Sequence, residues 1–81
     1  LPVPRCERPL VIGRARACDF VLADPSVSRR HAELMREDGR WMLRDLGSTN
    51  GTWDGGWRVA ETEIDAGSEL CFGTQLVRFR P

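Results

Sequence analysis

The sequence has no apolar run near the roughly 20 residues that a membrane-spanning helix needs. Its start also lacks the basic tip, apolar stretch and small-residue site of a secretory leader. Because Leu1 follows no Met, the 81 residues read as a piece of a longer protein, and a targeting segment could lie outside them. Cysteine is scarce and unpaired in pattern: Cys6, Cys18 and Cys71 are an odd number at no recognised spacing. That argues against a disulfide scaffold and for a reducing compartment, so the expected location is cytoplasmic. The only histidine is His31, and a zinc site needs close Cys or His pairs, so no metal and no cofactor are expected. Net charge is zero, which removes the usual electrostatic basis for nonspecific nucleic-acid or membrane binding. Lysine is absent; all twelve basic residues are arginine, the better fork for a phosphate.

A helical pattern is missing too. No stretch of a dozen residues repeats apolar positions at helical spacing without an interrupting glycine or proline. Short β-branched and aromatic runs between turn residues take its place. Leu10-Val11-Ile12 ends at Gly13, and Phe20-Val21-Leu22 ends at Asp24-Pro25. Residues 31–37 and 41–46 flank Asp38-Gly39, a strong two-residue hairpin signal. Thr52-Trp53 and Trp57-Arg58-Val59 flank Asp54-Gly55-Gly56, and Leu70-Cys71-Phe72 and residues 76–80 flank Gly73-Thr74-Gln75. Many short strands at close intervals predict one all-β domain, a sandwich or barrel.

Two segments are longer than a hairpin requires: residues 24–31 and residues 47–52. Both are rich in hydroxyls, amides or arginine, and loops on a rigid sheet are where binding groups usually sit. Charge points the same way. Residues 1–31 hold six arginines against Glu7, Asp19 and Asp24, whereas residues 32–81 hold six against nine acids. If the loops converge, Arg14 offers a planar donor fork. Ser28 and Thr49 offer hydroxyl donors, and Asn50 offers both a donor and an acceptor. Such a set is complementary to a phosphate dianion, and Asn50 can also read a peptide main chain.

Gly13-Arg14, then Ser28-x-x-His31, then Asn50-Gly51 resembles the signature of the forkhead-associated (FHA) family. Cys18-Asp19 with Phe20-Val21-Leu22 looks like the family's second core segment, and residues 43–52 look like its central strand and loop. Ile64, Gly67, Leu70, Phe72-Gly73 and Phe79 fit its closing strands, so the likeness runs from about Leu10 to Phe79. The resemblance implies an eleven-stranded β-sandwich whose binding loops share one end, with the first strand short or truncated. It implies that Arg14, Ser28 and Thr49 contact a phosphothreonine, and that Asn50 and Arg29 hold the ligand's main chain. Gly13, His31 and Gly51 would support the site, His31 by pinning its loops. Position 29 departs from the pattern: Arg stands where Asn is also common, adding charge in place of an amide. The resemblance also implies a small apolar notch for the threonine methyl. The expected partner is then a threonine-phosphorylated protein in Ser/Thr kinase signalling, bound by a monomer. The alternative is an interaction module of the same fold that docks unphosphorylated partners or its own chain.

Plainer roles compete for the same residues. Arg14 alone would pass for a surface arginine, and Asn50-Gly51 alone for a turn. Ser28, His31 and Asp45 could be cast as nucleophile, base and orienter. An enzyme of that kind needs a strained nucleophile turn, and no G-x-S-x-G occurs. Packing is the ordinary role of Trp41, Trp53 and Trp57. Trp57, after two glycines and before Arg58, is the one with a route to solvent and a hint of a second contact surface.

Overall fold

Alternating apolar residues and two-residue turns build two antiparallel-rich sheets. The structure, a computed structural model, describes residues 8–80. The strands are β1 (Leu10–Gly13), β2 (Phe20–Val21), β3 (Ala32–Glu37), β4 (Arg40–Asp45), β5 (Thr52–Asp54), β6 (Trp57–Val59), β7 (Glu61–Ile64), β8 (Glu69–Phe72) and β9 (Gln75–Arg78). One sheet has the order β2-β1-β3-β4-β7 and the other β6-β5-β8-β9.

Nine strands stand among the described residues, against the eleven expected. Runs as short as Phe20–Val21 show how little ladder some of the edge segments make. The expected short first strand falls before Leu10, mostly outside the described residues, as does Cys6. The β3–β4 hairpin turns at Asp38 and Gly39, with φ of 50° and 77°. Two positive φ values in a two-residue loop are the turn whose twist matches the strands it joins. Gly55 and Gly56, at 54° and 88°, do the same for β5 and β6. The strand β7 has no counterpart in the run-by-run sequence pattern. Glu61-Thr62-Glu63 is polar, and it becomes a strand because it pairs with β4 from Trp41↔Ile64 to Arg44↔Glu61.

The inner faces supply a single core. Leu10, Ile12, Ala32, Leu34, Leu43 and Ile64 come from the first sheet, and Leu70 and Phe72 from the second. Val27, Phe79 and His31 join them at no more than 1% exposure. Trp41 closes one side by meeting Phe79 edge-on, with centroids 5.7 Å apart. Truncating a fully buried phenylalanine such as Phe72 would cost about 3–5 kcal/mol, so the frame beneath the loops is stiff.

Candidate functional site

Gly13 sets how closely the first two site loops approach. A side chain there would begin 2.2 Å from the Arg29 carbonyl oxygen, so only glycine fits. The loops then bond main chain to main chain. Arg14 N donates to the Ser28 carbonyl (3.0 Å), Ala15 N to the Arg29 carbonyl (3.1 Å) and His31 N to the Ile12 carbonyl (2.9 Å). Arg14 is also oriented through its side chain, since its Nε donates to the Val27 carbonyl at 3.0 Å. Its two terminal amino groups have no acceptor among the described residues, and the side chain is exposed.

The third loop, residues 46–51, is shaped by Asp45. One carboxylate oxygen accepts from Ser48 Oγ (2.5 Å) and Thr52 Oγ1 (2.7 Å). The other accepts from the main-chain amides of Gly47 and Ser48, both at 2.9 Å. Burial pushes the Asp45 carboxyl up, but the Ser48 and Thr52 hydroxyls and the two amides outweigh it and hold the group below its usual range. This loop meets the second at three points. Thr49 N donates to Ser28 Oγ (3.1 Å), and Asn50 Nδ2 donates to the Ser26 carbonyl (2.9 Å). The third point is His31, fully buried, which accepts from Ser28 N at Nδ1 (3.1 Å) and faces the Gly51 carbonyl through Nε2 (2.8 Å). A ring that accepts at Nδ1 carries its proton at Nε2, so this network selects the neutral Nε2–H tautomer. The ring rests edge-on against Phe72 at 5.6 Å.

A fourth segment joins them. Thr74 N donates to Ser26 Oγ at 2.9 Å, and Gly73 N donates to the Gly51 carbonyl at 2.9 Å. Ser26 in turn is fastened to Asp24 through Oγ (2.6 Å) and its amide (2.8 Å), and these bonds lower the Asp24 carboxyl. Four loops thus converge at one end of the sandwich. They leave the Arg14 fork, the hydroxyl of exposed Thr49 and the Ser28 hydroxyl proton facing no acceptor among the described residues.

Electrostatics at this end are one-sided. Arg14, Arg16, Arg29 and Arg30 pair with no carboxylate among the described residues. Asp24 is occupied by Ser26 and Asp19 by Arg8 and the Val11 amide, which take the Asp19 carboxyl down to about 2. Converging donors and uncompensated guanidinium groups are complementary to an anion. No group of three or more metal-ligating side chains gathers among the described residues.

The FHA domain family model matches residues 10–73, most of the chain. The chain belongs to the FHA family. It is 37% identical over 76 residues to the FHA domain-containing protein FhaB of Mycobacterium tuberculosis, covering 93% of this chain and 49% of that protein. The chain therefore spans about half the length of the curated relatives it first matches. Among solved structures, an FHA domain studied for its phosphothreonine-dependent interactions superposes with a TM-score of 0.83 at 35% identity, covering 95% of this chain and 82% of that one. The FhaA FHA domain bound to the intracellular domain of Rv3910 superposes with a TM-score of 0.82 at 35% identity, covering 89% and 79%. The family is one of binding modules, not enzymes.

The FHA fold brings Arg14, Ser28, Thr49 and Asn50 to one end and threads Gly13, His31 and Gly51 beneath them. Arg29 lies there too, but its carbonyl is what joins the loops, taking bonds from Ala15 N and from Cys18 Sγ (3.1 Å). Its side chain is exposed and makes no hydrogen bond to another described residue. Two residues that organise the site went unread in the sequence. Asp45 is legible as a strand residue, as a position of the family-like segment 43–52 and as a rejected orienter, but not as the residue that shapes the loop, although Asp45-x-x-Ser48 is the spacing of a side chain that folds back on its own loop. Ser26 had a local signal in Asp24-Pro25-Ser26, but its bonds to Thr74, 48 residues on, have none.

Proposed function

We propose that this FHA domain binds a threonine-phosphorylated segment of a partner protein. The observation that carries the proposal is the arrangement around Arg14. Its Nε is spent on the Val27 carbonyl, so the guanidinium is held while both terminal amino groups bond no other described residue, beside the joined Ser28 and Thr49 loops. A dianion that accepts from such a fork and from the two hydroxyls replaces water at little ordering cost, because the donors are already held. Asn50 keeps its carboxamide oxygen and one N–H for the ligand's main chain after bonding Ser26. Arg29 adds long-range attraction for the phosphate and leaves main-chain reading to Asn50.

The solved relative characterised for phosphothreonine-dependent interactions supports the same assignment. No helix among the described residues is long and apolar enough to cross a membrane. Cys18 and Cys71 are free thiols. In this reading the domain works as a monomer in the cytoplasm, downstream of a Ser/Thr kinase. An oriented phosphothreonine-peptide library, screened beside its unphosphorylated twin, tests the proposal. Enrichment confined to the phosphorylated library is expected; equal retention of both would contradict it.

A further inference from the structure

The β5–β6 hairpin carries an arginine outside every motif segment. Arg58 stands opposite Trp53 in the hairpin register, with its guanidinium 5.8 Å from the centroid of the Trp53 ring. The pair reaches the edge of the site. Trp53 Nε1 donates to the Asn50 carbonyl at 3.1 Å. The point where a Gly51 side chain would begin lies 2.8 Å from Arg58 Nε and 3.1 Å from its Cζ. Gly51 has φ of +91°, so conformation and space both call for glycine, and the missing side chain lets the guanidinium lie against the loop.

Arg58 is exposed and has no carboxylate partner among the described residues, whereas Arg40, Arg44 and Arg78 each have one. A guanidinium held over a ring by cation–π attraction loses little when its outer edge makes two parallel hydrogen bonds to a carboxylate. We infer that Arg58, lying over the Trp53 ring, reads an acidic side chain flanking the phosphothreonine and so sets part of the ligand's sequence preference. This rests on the phosphothreonine assignment above. Asn50 holds the main chain of the ligand, and Arg58 lies one residue farther along the same rim, within reach of a neighbouring ligand side chain.

The test is a set of phosphothreonine peptides with alanine at the flanking positions, a single aspartate being moved through them. Titration calorimetry is run at one low salt concentration. At one position aspartate should tighten binding about fivefold over alanine, the scale of a rim charge pair. In Arg58→Gln the aspartate-to-alanine affinity ratio at that position should fall to about one. Arg58→Lys should keep only part of it, because the charge remains and the fork does not. Arg40→Gln, on the opposite sheet, should leave the ratio as it is. An aspartate advantage at no position, or one that survives Arg58→Gln, would overturn the role of Arg58. Failure of the wild-type domain to bind any phosphopeptide would instead overturn the phosphothreonine site itself, and Arg58 with it.

Discussion

The loop end and the outer face of the five-stranded sheet treat arginine in opposite ways. On the sheet, Arg44 lies between Glu33 and Glu61, 3.3 and 3.5 Å away, in a row set by strand register. Arg40 reaches Glu63 on the same face at 4.0 Å. At the loop end, Arg14 touches only a carbonyl, and Arg16, Arg29 and Arg30 touch no acid among the described residues. A chain of zero net charge has thus separated its cations into a neutralised set and an open set. Compensated charges on an exposed sheet contribute little beyond solubility and register. Uncompensated ones fixed on a rigid end exert a field that an anionic partner can use.

The largest effect should come from breaking the open set at its best-held member. Arg14→Ala removes a charge-assisted fork worth about 2–3 kcal/mol or more, so phosphopeptide affinity should fall at least thirtyfold. The fold should persist, with circular dichroism as the control. Unchanged affinity in a folded variant would put the phosphate elsewhere.

His31→Ala asks whether the loop end depends on its buried pin. It strands the Ser28 amide and takes one of two donors from the Gly51 carbonyl, which Gly73 N still serves. With the lost packing on Phe72, a cost of about 2–3 kcal/mol follows. For a domain of this size that lowers the melting temperature by about 10 °C or more. Affinity should weaken as well. Normal melting with lost binding would make His31 a ligand contact instead.

Acid should loosen the loop end and, with it, the β1 edge that Asp19 fastens through the Val11 amide. Asp45, Asp24 and Asp19 all have carboxyls lowered by the bonds they accept in the folded state. Their contribution is present above the ordinary value of 3.8 and is lost as pH falls through the folded values, which for Asp19 lies at about 2. Urea midpoints should therefore fall as pH drops from neutrality to 3, with a smaller fall in Asp45→Asn. An Asp45→Asn variant as acid-sensitive as the wild type would remove Asp45 from the account.

The smallest effect should come from the neutralised set. Arg44→Ala should cost no more than about 1 kcal/mol of stability and leave phosphopeptide affinity unchanged. A large loss of affinity would mean that the sheet face binds ligand too.

Much of the contrast could be read from the chain, and the unread part has a physical cause. The hairpins at Asp38-Gly39 and Gly55-Gly56 were legible because positive φ restricts which residues can stand there. Trp57, with its path to solvent, is 79% exposed. The motif residues were legible as donors without nearby acids. The strand β7 was not, because its glutamates meet their partners, Arg44 and Arg40, across the sheet and not along the chain. Arg58 was not, because its place beside Gly51 depends on hairpin register and on a side chain that is absent. Ser26 was not, because its partner is contributed by the β8–β9 turn.

The central claim is that four loops meet to read one phosphothreonine, and a single peptide tests it most directly. It is synthesised with threonine, phosphothreonine or phosphoserine at one position and titrated at one salt concentration. The two phosphorylated forms carry the same charge and differ by a methyl group. Burying that methyl is worth about 1 kcal/mol, and the stiffer β-branched rotamer adds to it through lower ordering entropy. Together they predict at least a tenfold preference for phosphothreonine over phosphoserine. No measurable binding of the unmodified peptide is expected. Equal affinities for the two phosphorylated forms would contradict the account, making the loop end a general anion patch instead of a phosphothreonine reader.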